Sequence, residues 1–251
     1  MPTVPGSVSG MRFRELDAAK IVSTIETLER RVAERFPVSG LRELCGELLG
    51  IARDASERAA SMARPNWPLR SAVGVIIAAI LIIVIAALGS LRLTGFADFG
   101  AFAQAMDAGI NDVVFLGIAI FFLVTLERRI KRRRALGALH ELRSLAHIVD
   151  MHQLTKDPEH LTGSGPATPS SPERTMTRFE LGRYLDYCTE LLSLVSKIAA
   201  LYVQRFDDEV VLGAVNEVES LTSGLSRKIW QKIMILDRAA SDGTALPNEN
   251  R

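Results

Sequence analysis

All four histidines of the chain fall in one stretch, His140, His147, His152 and His160, with Asp150 and Asp157 among them. Imidazole and carboxylate groups are good ligands for divalent first-row metals, so metal or proton chemistry would be sought here first. Helical geometry argues against one site. His140 and His147 share a helix face but stand roughly 10 Å apart along the axis, whereas zinc ligands sit about 2 Å from their ion. His147 and Asp150, three residues apart, can share an ion, but His152 points to a different face. The spacing is not the His-Glu-x-x-His of a zinc enzyme. His140, His147, Asp150 and His152 are therefore a weak candidate cluster for a metal or pH sensor, set against histidines that are merely solvated or packed.

Other reactive groups are no better placed. Cys45 and Cys188 are far apart in sequence, match no metal-binding spacing, and fall on apolar faces of predicted helices, which predicts buried, reduced thiols. The sequence holds neither a phosphate-binding G-x-x-x-x-G-K-[ST] loop nor a dinucleotide-binding G-x-G-x-x-G. Gly163-Ser164-Gly165 lies in a segment rich in proline, serine and threonine, not on the strand-to-helix turn of a nucleophile elbow. No catalytic motif and no cofactor are expected.

Two features belong to a bilayer instead. Asn111 and Asp112 stand at the start of an apolar segment, and a polar or ionisable group in a membrane span marks a functional candidate. The bland alternative puts Asp112 at headgroup level or at a helix cap. Arg128, Arg129, Lys131, Arg132, Arg133 and Arg134 give six cations in seven residues. Such a run attracts anionic lipid, at about 1 kcal/mol per cation near the surface, and also fixes topology. It lacks interleaved aromatics, so no nucleic acid is expected.

The elements that would carry these groups follow from hydropathy. Residues 71–91 contain no charge, and 21 helical residues span roughly 31 Å, close to the thickness of a bilayer's hydrocarbon core. Arg70 and Arg92 bracket them, and Trp67 suits the water–lipid interface. A second span is read at 110–127. The connecting loop, 92–109, has one cation, and its Phe96, Phe99, Phe102 and Met106 recur at helical spacing, which suggests either a face lying on the membrane or an outward extension of the second helix. Cations are retained on the cytoplasmic side. Both flanks are thus expected in the cytoplasm and the loop outside, in a bacterial inner membrane. Residues 1–15 have no apolar stretch and predict no cleavable signal peptide.

The flanks read as amphipathic helices. A hairpin is expected over 11–64, after a disordered 1–10, with Ile21, Ile25, Leu28 and Val32 on one seam and Leu41, Leu44 and Leu48 on the other. The basic segment continues as helix through 128–155, and a flexible linker occupies 156–176. A capping box, Thr177-Arg178-Phe179-Glu180, opens a second hairpin over 177–238, and 239–251 reads as a disordered tail. The apolar stripes are too wide for two separate hairpins. The expected architecture is an all-α membrane protein: a two-helix transmembrane hairpin with cytoplasmic amphipathic helices, forming a four-helix bundle from both flanks.

This pattern predicts a membrane-anchored scaffold or interaction protein, not an enzyme. Its partners would be the bilayer, chiefly anionic inner-leaflet lipid, an unknown cytoplasmic protein, and further copies of itself. An oligomeric two-span pore is the alternative. The plan resembles, in architecture only, small bacterial two-span effector proteins proposed to form pores, and no motif extends that likeness. A metal or pH sensor around His147 and Asp150 is a minor third reading.

Overall fold

The computed structural model describes residues 15–94, 99–158, 169–170, 175–204 and 206–244. Among these the chain is all-helical: α1 (Ala18–Arg35), α2 (Gly40–Ala63), α3 (Trp67–Thr94), α4 (Phe99–Leu154), α5 (Arg178–Leu201) and α6 (Glu209–Thr244). They fall into two compact units. One takes α1, α2, α4 from Ala135 onward, α5 and α6; the other takes α3 and α4 up to Arg134.

Helix ends are set by side-chain caps, because the first N–H groups of a helix have no internal partner. Asp17 Oδ1 accepts from the N–H of Ala19 and Lys20 at 3.0 and 3.3 Å, so α1 starts at Ala18 and not at the expected residue 11. Just before it, the Gln204 side chain grips the Leu16 backbone through both its oxygen and its nitrogen. Asp208 Oδ1 accepts from the N–H of Val210 and Val211 and opens α6. At α5 the Thr177 hydroxyl accepts from the Glu180 N–H at 3.3 Å, and the Glu180 carboxylate accepts from the Thr177 N–H at 2.8 Å. Thr177→Ala removes the hydroxyl's half of this reciprocal pair. It should cost about 1 kcal/mol of stability and lower the melting midpoint, followed by circular dichroism, by about 2–4 °C.

α5 forms the centre of the larger unit. Leu181, Tyr184, Leu185, Cys188, Leu191, Leu192, Val195 and Ile198 are all buried, so apolar positions surround the helix instead of forming one stripe, as a buried helix requires. It packs against α6, α1 and α2. Phe36, in the turn between α1 and α2, meets Tyr184 and Tyr187 edge-on at 5.5 and 6.2 Å between ring centres.

Among the described residues the bundle has five helices, not the expected four. Ala138, Leu139, Leu142, Leu145, Ala146 and Val149 of α4 are buried in the same core. Arg58 of α2 pairs with Glu141 at 3.8 Å, and Arg143 pairs with Glu217 of α6 at 3.3 Å. Four helices with stripes this wide would leave a face open, and α4 closes it. α4 is unbroken through Gly137, where an added Cβ would meet no neighbour within 4 Å, so the missing side chain leaves no packing defect.

Other bounds shift as well. Helical backbone reaches Thr94 and resumes at Phe99, so most of the expected loop 92–109 is helix, consistent with the Ala- and Phe-rich sequence there. α6 continues to Thr244, beyond the expected end at 238. The expected tail beyond 244, the N-terminus through 14, Phe96 and most of the linker, including His160, lie outside the described residues.

Candidate membrane interface

α4 is long and apolar enough to cross a membrane, and none of its apolar window is buried. Phe115, Ile118 and Phe121 are 71%, 61% and 65% exposed. On α3 the apolar stretch among the described residues is shorter, Trp67–Ile82, with Val75 and Ile82 similarly exposed. Contiguous exposed apolar surface on this scale marks a membrane or protein contact. Thr125 would be a polar intruder, but its hydroxyl donates to the carbonyls of Phe121 and Phe122, keeping the group satisfied inside the helix.

The cationic end of this unit is organised by one acid, Glu127, which the sequence reading passed over. Its Oε2 accepts from Arg70 Nε at 2.7 Å, and its Oε1 from Lys131 Nζ at 2.8 Å and the Asn66 N–H at 3.1 Å. Lys131 also donates to the Arg64 carbonyl. The Asn66 amide immediately precedes α3, where unpaired N–H groups and the helix dipole favour an anion. Pro68, in the first turn of α3, removes no helical hydrogen bond there. One carboxylate thus ties the start of α3 to α4. Its sequence signal was slight: a lone acid immediately before six cations.

Those six cations are not equivalent. Lys131 is only 17% exposed at its side chain and occupied by Glu127. Arg128, Arg129, Arg133 and Arg134 are exposed, and Arg132 is half-buried. Arg129 turns back along the helix, its guanidinium carbon 4.9 Å from the centre of the Phe122 ring. Trp67 is 72% exposed, free for the interfacial place its amphipathic ring favours. Asn111 is exposed, and the Asp112 side chain lies outside the described residues.

The histidine cluster separates. His140 and His147 are exposed on α4. The His152 ring packs over Gly40 at the start of α2, in the space a Cβ would take. Asp150 accepts from Gln153 Nε2 at 2.6 Å. No three His, Cys, Asp or Glu side chains among the described residues are grouped to hold a metal ion. Lys232 of α6 caps this end of α4, donating to the carbonyls of Gln153 and Lys156 at 2.9 and 3.3 Å. Burial draws its ammonium below the usual lysine value, against the opposing pull of Asp157 and Asp150.

Both cysteines are buried and free. Burial, reinforced by nearby acids, pushes the Cys45 thiol up to about 12; Cys188, raised by burial and by Cys45, also lies near 12. The thiolate is the reactive species, so neither thiol should react with a thiol reagent at pH 8 in the folded protein. Both should react once it is denatured; rapid labelling of the native protein would contradict the buried placement.

A second polar cluster was invisible to sequence reading because its parts are distant in the chain. Arg31, Glu34 and Arg35 of α1 and Arg183 and Tyr187 of α5 line a cleft of about 470 Å³. Glu190 accepts two bonds from Arg31, at 2.8 and 3.2 Å, and Asp186 accepts from Arg183 at 2.9 Å. Burial would raise the Tyr187 phenol, but hydrogen bonds from Arg183 and Arg35 outweigh it and hold it below the usual tyrosine value. The local acids already answer most of this positive charge, so the cleft reads as a polar seam joining α1 to α5. Comparison with known proteins gives no relative from which to read a function: no family model, no curated protein and no solved structure matches this chain.

Proposed function

We propose that this chain is a membrane-anchored helical scaffold that recruits or organises a cytoplasmic partner at a bacterial inner membrane. The observation that carries this reading is in α4: one uninterrupted helix supplies both an exposed apolar window and, from Ala135, a buried wall of a helical core. An anchor and a folded body share one element. In this reading α3, whose residues 71–91 are uncharged, is a second span. The cations before α3 and after the window of α4 hold both flanks in the cytoplasm.

An intact-cell crosslinking experiment tests it. With a membrane-permeant amine crosslinker, lysines of the five-helix unit should join reproducibly to the same cytoplasmic protein, and proteoliposomes holding the pure chain should be ion-tight. Crosslinks confined to copies of this chain, together with ion flux that Asn111→Ala or Asp112→Ala abolishes, would replace the scaffold with the oligomeric pore. That alternative draws support from the exposed Asn111 within the apolar helix.

A further inference from the structure

Arg129 and Arg133 stand one turn apart on α4, and both are exposed. Neither forms an ion pair among the described residues, in contrast to Arg70 and Lys131, which Glu127 occupies. Like charges at this spacing repel and destabilise a helix, so the pair lacks the counter-charge that Arg70 and Lys131 find within the fold. At 100° per residue, Phe122, Arg129 and Arg133 fall within roughly 40° of arc on one side of the helix. Phe122 is 48% exposed, and Arg129 already lies against its ring. One stripe therefore carries an apolar aromatic, then a guanidinium lying against it, then a second guanidinium a turn further on. Two guanidiniums whose Cβ atoms are about 6 Å apart can bracket a phosphate with paired N–H donors, as arginine favours, while the aromatic below meets an acyl chain.

We propose that Arg129, Arg133 and Phe122 form a binding site for the headgroup of an anionic phospholipid, distinct within the basic run from Lys131, whose role is to hold α4 to the start of α3. Charge complementarity selects the occupant: a zwitterionic headgroup brings its own cation beside the two guanidiniums, and a free phosphate makes no use of Phe122. This inference rests on the membrane reading above.

The test is native mass spectrometry of the full chain in mild detergent, titrated with phosphatidylglycerol, phosphatidylcholine or inorganic phosphate. Phosphatidylglycerol adducts should dominate. The double variant Arg129→Gln/Arg133→Gln should bind that lipid about tenfold or more weakly. Arg128→Gln/Arg134→Gln, which removes the same charge, should keep most of the binding, and Phe122→Ala should weaken retention of the diacyl lipid. Equal losses in the two arginine double variants would replace the site with a diffuse field. Displacement of the lipid by millimolar inorganic phosphate would assign the pair to a free anion. No preference for phosphatidylglycerol, in a chain that still requires detergent, would overturn the site alone. Recovery of the chain from the soluble fraction without detergent would overturn the membrane reading beneath it.

Discussion

Leu192→Ala is expected to lower the unfolding free energy by about 2–5 kcal/mol, because truncating a fully buried leucine loses its transfer energy and leaves a cavity that neighbours only partly fill. Leu192 is 0% exposed and sits midway along α5, the helix that packs on α6, α1 and α2. A cavity there is walled by several helices and cannot collapse by a shift of one. For a core of this size the midpoint of thermal helix loss should fall by roughly 4–20 °C. Leu212→Ala serves as its partner experiment. Leu212 is 47% exposed on α6, and a change there should stay within about 0.5 kcal/mol. If the two variants melted together, α5 would not be the centre of the core.

That centre is legible from spacing alone. The seam of Leu181, Leu185, Cys188, Leu192, Val195, Ala199, Tyr202 and Phe206 steps by three and four, and every member is buried except Phe206, which is half-buried beyond the end of α5. Tyr184, Leu191 and Ile198 widen it enough to demand helices on several sides. The capping box at Thr177 is equally local, needing only two side chains three residues apart. Legibility ends where a contact joins distant segments. A coarse apolar period also runs straight past the local cap at Asp17, which opens α1. Nothing in residues 64–70 announces that Glu127 will receive Asn66 and Arg70. Tyr187 gives no sign that Arg35, from α1, will join Arg183 on it. His152 entered the weak candidate cluster only through its neighbours in sequence, and its place is set by Gly40, more than a hundred residues earlier, which leaves room for the ring. The fifth wall of the bundle was missed for a related reason. The stripe of Leu139, Leu142, Ala146 and Val149 was visible, but its continuity with the apolar window made it read as an exit from the membrane and not as core.

On the proposed two-span reading, placing aspartate at both Ile118 and Phe121 is expected to stop α4 from crossing a bilayer. Each aspartate near the middle of a span costs about 2.5–3.5 kcal/mol, and the apolar contribution of the residue it replaces is lost as well, so the pair shifts insertion by about 6 kcal/mol or more. Two spans put both termini on one side of the membrane, whereas one span puts them on opposite sides. A C-terminal reporter that is active only in the cytoplasm should therefore lose its signal, or, if the hairpin inserts only as a pair, the chain should become extractable by alkaline carbonate. Met151→Asp/Leu154→Asp is the discriminating control. Met151 and Leu154 lie on the same helix and are 66% and 61% exposed, much like Ile118 and Phe121 at 61% and 65%. Exposure therefore cannot separate the two pairs; what separates them is the medium each side chain meets. On the membrane reading, the control leaves reporter and extraction unchanged, since it adds charge where water already reaches. Identical behaviour of the two double variants would mean that the apolar window of α4 meets the same surroundings as its C-terminal end, water and not lipid.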